Sequence, residues 1–229
     1  MTTNKENIES LKNKINYINS YGFENLANIY NKKTVKALEP DLKKLKGKNN
    51  TFYYPLSINT WDNKEYDAIS KVVASQNFTM GEKVKEFESK FAKHMGSKYA
   101  VMVNSGSSAN LLMIAALVLD KDIDLNEGDE VIVPTLSWAT TYYPLQQYKL
   151  KTKFVDINLD NINIDEDTIV SAISKKTKAI FAVNVLGNPC NFKKLNDICK
   201  KHKLILIEDN CESLGAKYND KQCGSFGIT

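Results

Sequence analysis

Two short segments hold residue types that suit chemistry on a phosphorylated ligand. Ser105-Gly106-Ser107-Ser108-Ala109-Asn110 follows an apolar run and opens a helical pattern. A helix start presents unpaired N–H groups and the positive end of the helix dipole. Glycine lets an anion approach the backbone, and serine hydroxyls add donors, so this is a phosphate site in physical terms. It lacks the lysine of a Walker loop and the spacing of a dinucleotide glycine motif. A serine-capped helix with no ligand uses the same residues, and the segment alone does not separate the two. The second segment is Leu204-Ile205-Leu206-Ile207 followed by Glu208-Asp209. A carboxylate at the end of a buried strand can pair with a protonated pyridine nitrogen, bind Mg²⁺ beside a phosphate, or cap the next loop. Glu212, three residues on, falls on the same side of the turn. Trp138, in Pro134-Thr135-Leu136-Ser137-Trp138, can stack on a flat ring or pack in the core, the ordinary place for a lone tryptophan. Asn184 precedes the turn signal Gly187-Asn188-Pro189 and is a further candidate for ligand contact.

The elements that must position these residues are legible as periodicities. Strands are expected at Tyr99–Val103, Glu130–Val133, Lys153–Asp156, Ala179–Val183 and Leu204–Ile207, with helices near 107–119, 138–148, 166–174 and 191–202. Such alternation predicts an α/β fold, a mainly parallel sheet covered by helices on both faces. Ligands bind at the carboxyl ends of such strands, where both segments fall. Earlier in the chain, Asp62 predicts a helix N-cap, with the helix running to about Gln76. Thr79-Met80-Gly81 reads as a turn before a helix carrying Val84, Phe87, Phe91 and Met95 on one face.

Composition excludes several classes. The 229 residues are 42% hydrophobic and 25% charged, which is ordinary for a globular chain. No apolar run approaches the ~20 residues of a membrane span. Met1–Asn7 lacks the apolar core of a signal peptide, so a cytoplasmic location is expected. Residues 1–50 hold ten lysines against five acids and end in a polar stretch over 40–50, which sets a helical basic leader and linker over 1–50 apart from a main domain over 51–229. Beyond the leader the charge is close to balanced, and the leader reads as a solvated helix face rather than a nucleic-acid or lipid contact. All basic residues are lysine, so no guanidinium fork can clamp a carboxylate or phosphate in two places. Cys190, Cys199, Cys211 and Cys223 form no Cys-x-x-Cys pair and there are two histidines, so no metal centre is expected. His94 reads as packing or surface, and His202 sits at a helix end that favours a cation.

Taken together, over about residues 53–229, these segments resemble the DegT/StrS-type family of pyridoxal-phosphate sugar aminotransferases and dehydratases. The runs Tyr54-Pro55-Leu56, Thr60-Trp61-Asp62, Phe78-Thr79-Met80-Gly81-Glu82, Thr141-Tyr142-Tyr143-Pro144-Leu145 and Glu208-Asp209-Asn210-Cys211-Glu212-Ser213 look like its dehydratase branch, to which Glu212 points. The resemblance implies the large domain of a fold-type I, aspartate aminotransferase-like enzyme, truncated before a small C-terminal domain. It implies that pyridoxal or pyridoxamine 5′-phosphate is held by Gly106 and Ser107 at the phosphate, Trp138 on the ring face, Asp209 at the ring nitrogen, Glu212 at the ring oxygen, and Asn184. Thr79 and Met80 fall on the substrate side. The implied reaction removes the C3 hydroxyl of a nucleotide-linked, GDP-type 4-keto-6-deoxy sugar for surface-polysaccharide (lipopolysaccharide O-antigen) synthesis. Glutamate restores the amine form, and the enzyme is a homodimer without nucleic-acid or membrane partners.

By this likeness the base, His in the dehydratases and Lys in the aminotransferases, is not within the chain and is expected roughly a dozen residues past Thr229. The alternatives are a 4-aminotransferase of the same family, an inactive fragment needing a partner chain, and an unrelated α/β phosphate-binding protein. Residues 1–229 alone are expected to be inactive, and unstable through exposed sheet edges.

Overall fold

The computed structural model describes residues 60–79 and 81–228, which belong to two compact units divided between Thr79 and Met80. The expected leader over 1–50 and Met80 itself lie outside the described residues. Helix α1 of the first unit spans Asn63–Ser75. It starts where the sequence predicts, because Asp62 and Glu65 form a reciprocal capping box: the Asp62 carboxylate accepts from the Lys64 N–H at 2.7 Å, and the Asp62 N–H donates to Glu65 Oε2 at 2.7 Å. It ends at Gln76 in the left-handed conformation. Thr79 is exposed in the bend that follows.

The second unit opens with α2 (Glu82–Met95) and α3 (Gly106–Leu119). Strand β1 (Glu130–Pro134), α4 (Ala139–Gln147), β2 (Lys151–Val155), α5 (Glu166–Ala172), β3 (Thr177–Val183), α6 (Phe192–His202) and β4 (Ile205–Asp209) then alternate. A two-stranded hairpin, β5 (Lys217–Tyr218) and β6 (Lys221–Gln222), follows. The four long strands form one parallel sheet in the order β2-β1-β3-β4. The chain steps outward from β1 to β2, then returns past β1 to β3, so the order reverses between β1 and β3. The loops after those strands therefore diverge and leave a crevice at the carboxyl edge.

Period-two alternation assigns the core. Ile132, Ile180, Ala182 and Leu206 face one side and pack with Ile169 of α5 and Phe192, Leu195 and Ile198 of α6. Val131, Val133, Ala179, Phe181 and Ile207 face the other side and pack with Ile114 and Leu117 of α3 and Leu145 of α4. Register agrees, with Ile180 beside both Ile132 and Leu206. The Phe181 and Phe192 side chains are fully buried, each worth about 2–3 kcal/mol of transfer free energy. Among the described residues no helix is long and apolar enough to cross a membrane.

One expected strand is absent. Tyr99–Val103 joins no ladder, and Tyr99, Val101 and Met102 are exposed. The residues have β propensity, but a strand exists only against a partner edge. The outer side of β4 is instead met by the far end of the described residues, where the Ile228 N–H donates to the Leu206 carbonyl at 2.9 Å. The Met102 N–H donates to Glu88 Oε1 of α2 at 2.8 Å.

Candidate cofactor site

Helix α3 begins at Gly106 because Ser105 caps it. Ser105 Oγ accepts from the Ser108 N–H at 3.2 Å, and Ser108 Oγ donates to Asn104 Oδ1 at 2.6 Å. The N–H groups of Gly106 and Ser107 precede any helical carbonyl and are presented outward. Gly106 has a packing reason as well: a Cβ there would stand 3.3 Å from Cys211 Sγ. The helix start is thus pressed against the turn that follows β4.

Asp209 closes β4 and is 7% exposed. Three donors converge on its carboxylate. Oδ2 accepts from Asn110 Nδ2 at 2.8 Å and Thr141 Oγ1 at 2.9 Å, and Oδ1 accepts from the Cys211 N–H at 3.1 Å. A carboxylate has about four lone-pair directions, so Oδ2 is filled and Oδ1 keeps one for a further donor. Asn110 is held in turn by the Thr140 carbonyl, 3.4 Å from its Nδ2. That carbonyl is available because Pro144, four residues on inside α4, has no N–H to donate to it. The phosphate-type helix start, α4 and the β4 carboxylate are therefore coupled through one buried amide.

These groups line a single cavity of about 440 Å³. Gly106, Ser107, Trp138, Asp209 and Glu212 all contribute to its wall, so the structure brings five of the sequence candidates together. Trp138 is 78% exposed and is not a core residue. Glu212 Oε2 accepts from the Leu186 N–H at 2.7 Å. Asn184 does not join the lining. It is buried, with Nδ2 donating to Asn210 Oδ1 at 2.7 Å and Oδ1 accepting from the Cys190 N–H at 2.9 Å, which spends the side chain on joining two turns. Thr79 belongs to the first unit. Asn110 and Thr141 were not singled out from the sequence, and their contacts with Asp209 span 99 and 68 residues. The one local sign was that Asn110 stands between the serine turn and the apolar run Leu111-Leu112-Met113-Ile114.

A larger hollow of about 940 Å³ lies at the opposite, amino end of the strands, beside Asp122, Asp124, Lys178, His202 and Lys203. Lys178 pairs with Asp124 there. Among the described residues no helix start faces it together with a buried carboxylate, so the smaller cavity is the better candidate. Burial holds the Cys199 thiol up to about 12 and the Cys223 thiol up to about 11, which keeps both out of chemistry near neutral pH.

A parallel sheet with a helix start and a strand-end carboxylate on one crevice is compatible with the large domain of pyridoxal-phosphate-dependent transferases, and the similarities to known proteins point to that class. Residues 59–229 match the DegT/DnrJ/EryC1/StrS aminotransferase family, to which the chain belongs. It is 58% identical to the GDP-4-keto-6-deoxy-D-mannose 3-dehydratase of Escherichia coli O55:H7 over 76% of this chain and 45% of that protein. It is 55% identical to the enzyme of the same name from Yersinia pseudotuberculosis, over 76% and 44%. A crystal structure of GDP-4-keto-6-deoxymannose-3-dehydratase with a trapped PLP-glutamate geminal diamine superposes with a TM-score of 0.74 at 57% identity, covering 77% of this chain and 46% of that one. An aminotransferase from Psychrobacter cryohalolentis gives 0.69 at 31% identity, covering 76% and 43%. The chain thus spans less than half the length of these relatives.

Proposed function

We propose that the cavity holds pyridoxamine or pyridoxal 5′-phosphate and that the whole protein is a nucleotide-sugar 3-dehydratase acting on a GDP-linked 4-keto-6-deoxy sugar. The observation that carries this reading is the coupling of the α3 start to Asp209 across a cavity walled by Trp138. The residues fit the group. The Gly106 and Ser107 N–H groups and the Ser107 hydroxyl would receive the phosphate, as anions settle on helix starts. Asp209 would accept the ring N–H on Oδ1, the oxygen with a direction to spare. Trp138 would cover a ring face and keep water from it. Glu212 reaches the same wall and would face the ring oxygen.

When bound, the amine form supplies the electron pair that expels the C3 hydroxyl, and glutamate would restore it. Asp209 would hold the ring nitrogen in its protonated form, through the lone-pair direction left on Oδ1. Among the described residues that line the cavity there is neither histidine nor lysine, and this reading expects the proton-moving base outside them. A cytoplasmic homodimer acting in surface-polysaccharide synthesis is the setting this reading gives the whole protein. Higher identity to the dehydratases than to the dTDP-3-amino-3,6-dideoxy-α-D-galactopyranose transaminase of Aneurinibacillus thermoaerophilus, at 35%, favours oxygen removal over transamination.

The test is to express the reading frame with whatever coding sequence follows codon 229. The protein is then supplied with pyridoxamine phosphate, glutamate and a GDP-linked 4-keto-6-deoxy sugar. Ammonia release with a sugar lacking the C3 oxygen supports the reading. An aminated sugar that keeps that oxygen moves it to a 4-aminotransferase, and no product at all makes it a fragment that needs a partner.

A further inference from the structure

Leu186 is in an unusual state for an exposed leucine. It lies in the short 3₁₀ turn Val185–Gly187 with φ 52 and ψ 25, in the left-handed region. That conformation costs a non-glycine residue roughly 1–2 kcal/mol, and with its side chain 74% exposed, packing does little to offset it. Yet Leu186 and Val185 form one wall of the cavity. Something must hold the turn in place.

The hydrogen bonds say what does. Val185 N–H donates to Asn163 Oδ1 at 3.0 Å, Gly187 N–H to the Asn184 carbonyl at 3.2 Å, and Asn188 N–H to the Val185 carbonyl at 2.9 Å. The Leu186 N–H, at the strained residue, donates to Glu212 Oε2 at 2.7 Å. Glu212 comes from a different turn, after β4, whose shape is set by the Ser213 N–H and Oγ bonds to Asn210 at 3.1 and 2.8 Å. The two turns also touch, since a Cβ on Gly187 would lie 3.2 Å from the Glu212 carbonyl oxygen. Gly187 has φ 81, so a side chain there would be strained as well.

We propose that Glu212 is a positioning residue: its carboxylate clasps the Leu186 amide and so fixes the 185–187 turn as the cavity wall against which the cofactor and its substrate are held. This rests on the reading that the cavity takes pyridoxamine phosphate. It gives Glu212 a task in the empty protein, before any ring oxygen is present. A carboxamide can perform that task, because its oxygen also accepts an N–H. A methyl group cannot.

The experiment uses the full chain, wild type, Glu212→Gln, Glu212→Ala, and Glu212→Ala combined with Leu186→Gly. Amide hydrogen exchange is followed over residues 184–188 without cofactor, and pyridoxamine phosphate binding is titrated separately. Glu212→Ala should speed exchange at Leu186 and weaken binding by roughly three- to tenfold, the loss of one net hydrogen bond. Glu212→Gln should keep exchange at Leu186 within about twofold of wild type, a difference smaller than half a hydrogen bond, whatever it does to the proposed contact with the ring oxygen. Leu186→Gly removes the strain and should shrink the effect of Glu212→Ala. Unchanged exchange in Glu212→Ala overturns the proposal. So does a Glu212→Gln variant that exchanges at Leu186 as fast as Glu212→Ala, since a carboxamide oxygen accepting the same N–H should keep it protected. If wild type binds no pyridoxamine phosphate, the cofactor reading fails, and the exchange data still decide the clasp.

Discussion

Replacing Asn110 with alanine removes the amide that ties α3 to the β4 carboxylate. Asn110 and Asp209 are 4% and 7% exposed, so water cannot easily replace the lost donor. Asp209 Oδ2 keeps only Thr141 Oγ1, and the Thr140 carbonyl loses Asn110 Nδ2 while Pro144 still cannot serve it. A buried hydrogen bond to a charged acceptor contributes about 1.5–3 kcal/mol. For a chain of this size that is a fall in Tm of roughly 3–12 °C. Freed on one side, the carboxylate can rotate away from the direction in which the proposed function places the ring nitrogen, and pyridoxamine phosphate affinity should then fall by about tenfold or more, at 1.4 kcal/mol per decade. Asn110→Asp should be worse near neutral pH, because it sets two carboxylates at 2.8 Å, and should partly recover in acid as the pair takes up a proton. The assays are thermal unfolding followed by circular dichroism and a fluorescence titration with the cofactor. An Asn110→Ala variant that melts within about 1 °C of wild type, less than half a kcal/mol, and binds equally well would refute the coupling.

Gly106→Ala should separate binding from folding: its Cβ meets Cys211 Sγ at 3.3 Å, an exposed side chain that can turn aside, so Tm should hold while cofactor affinity falls, and Cys211→Ala should restore part of it. Gly227→Ala has no such outlet. Its Cβ would stand 2.7 Å from the Leu206 carbonyl oxygen, and urea unfolding should show a loss of about 1–3 kcal/mol. Glu208 gives a pH signature, because burial pushes its carboxyl up from the ordinary value even though the N–H groups of Gly224, Phe226 and Gly227 bond to it. A raised acid stabilises the fold fully below its unfolded value and loses that contribution as pH rises through the folded one. Urea midpoints of wild type should therefore fall relative to Glu208→Gln as pH rises from about 4.5 toward neutral; a constant gap between the two would contradict this.

Much of the fold was legible because it rests on local periodicity. The even and odd residues of β1 and β3 separate cleanly onto two faces, and the sequence expects four of the five strands and their intervening helices within a few residues. Asp62 shows its capping box in the spacing to Glu65. Tyr99–Val103 misled because strand propensity is local and strand pairing is not. The cavity was legible where motif and fold coincide, at Gly106, Ser107 and Asp209. Trp138 needed the resemblance, since a lone tryptophan reads as core. The partners of Asp209 were hidden because Asn110 and Thr141 act through contacts that only the folded sheet creates. Asn184 shows the converse, a polar residue at a strand end whose side chain is committed to Asn210 and Cys190.

The central claim is that one cavity offers a phosphate-receiving helix start and a ring-nitrogen carboxylate to the same cofactor. The direct measurement is an equilibrium titration of the chain with pyridoxamine 5′-phosphate, read from the fluorescence of Trp138 in a Trp61→Phe background. Saturable binding with one cofactor per chain is expected, with quenching that disappears in Trp138→Phe and affinity at least about tenfold weaker in Asp209→Ala, the loss of one charge-assisted hydrogen bond. Binding that does not saturate, or that is unchanged in Asp209→Ala, would contradict it.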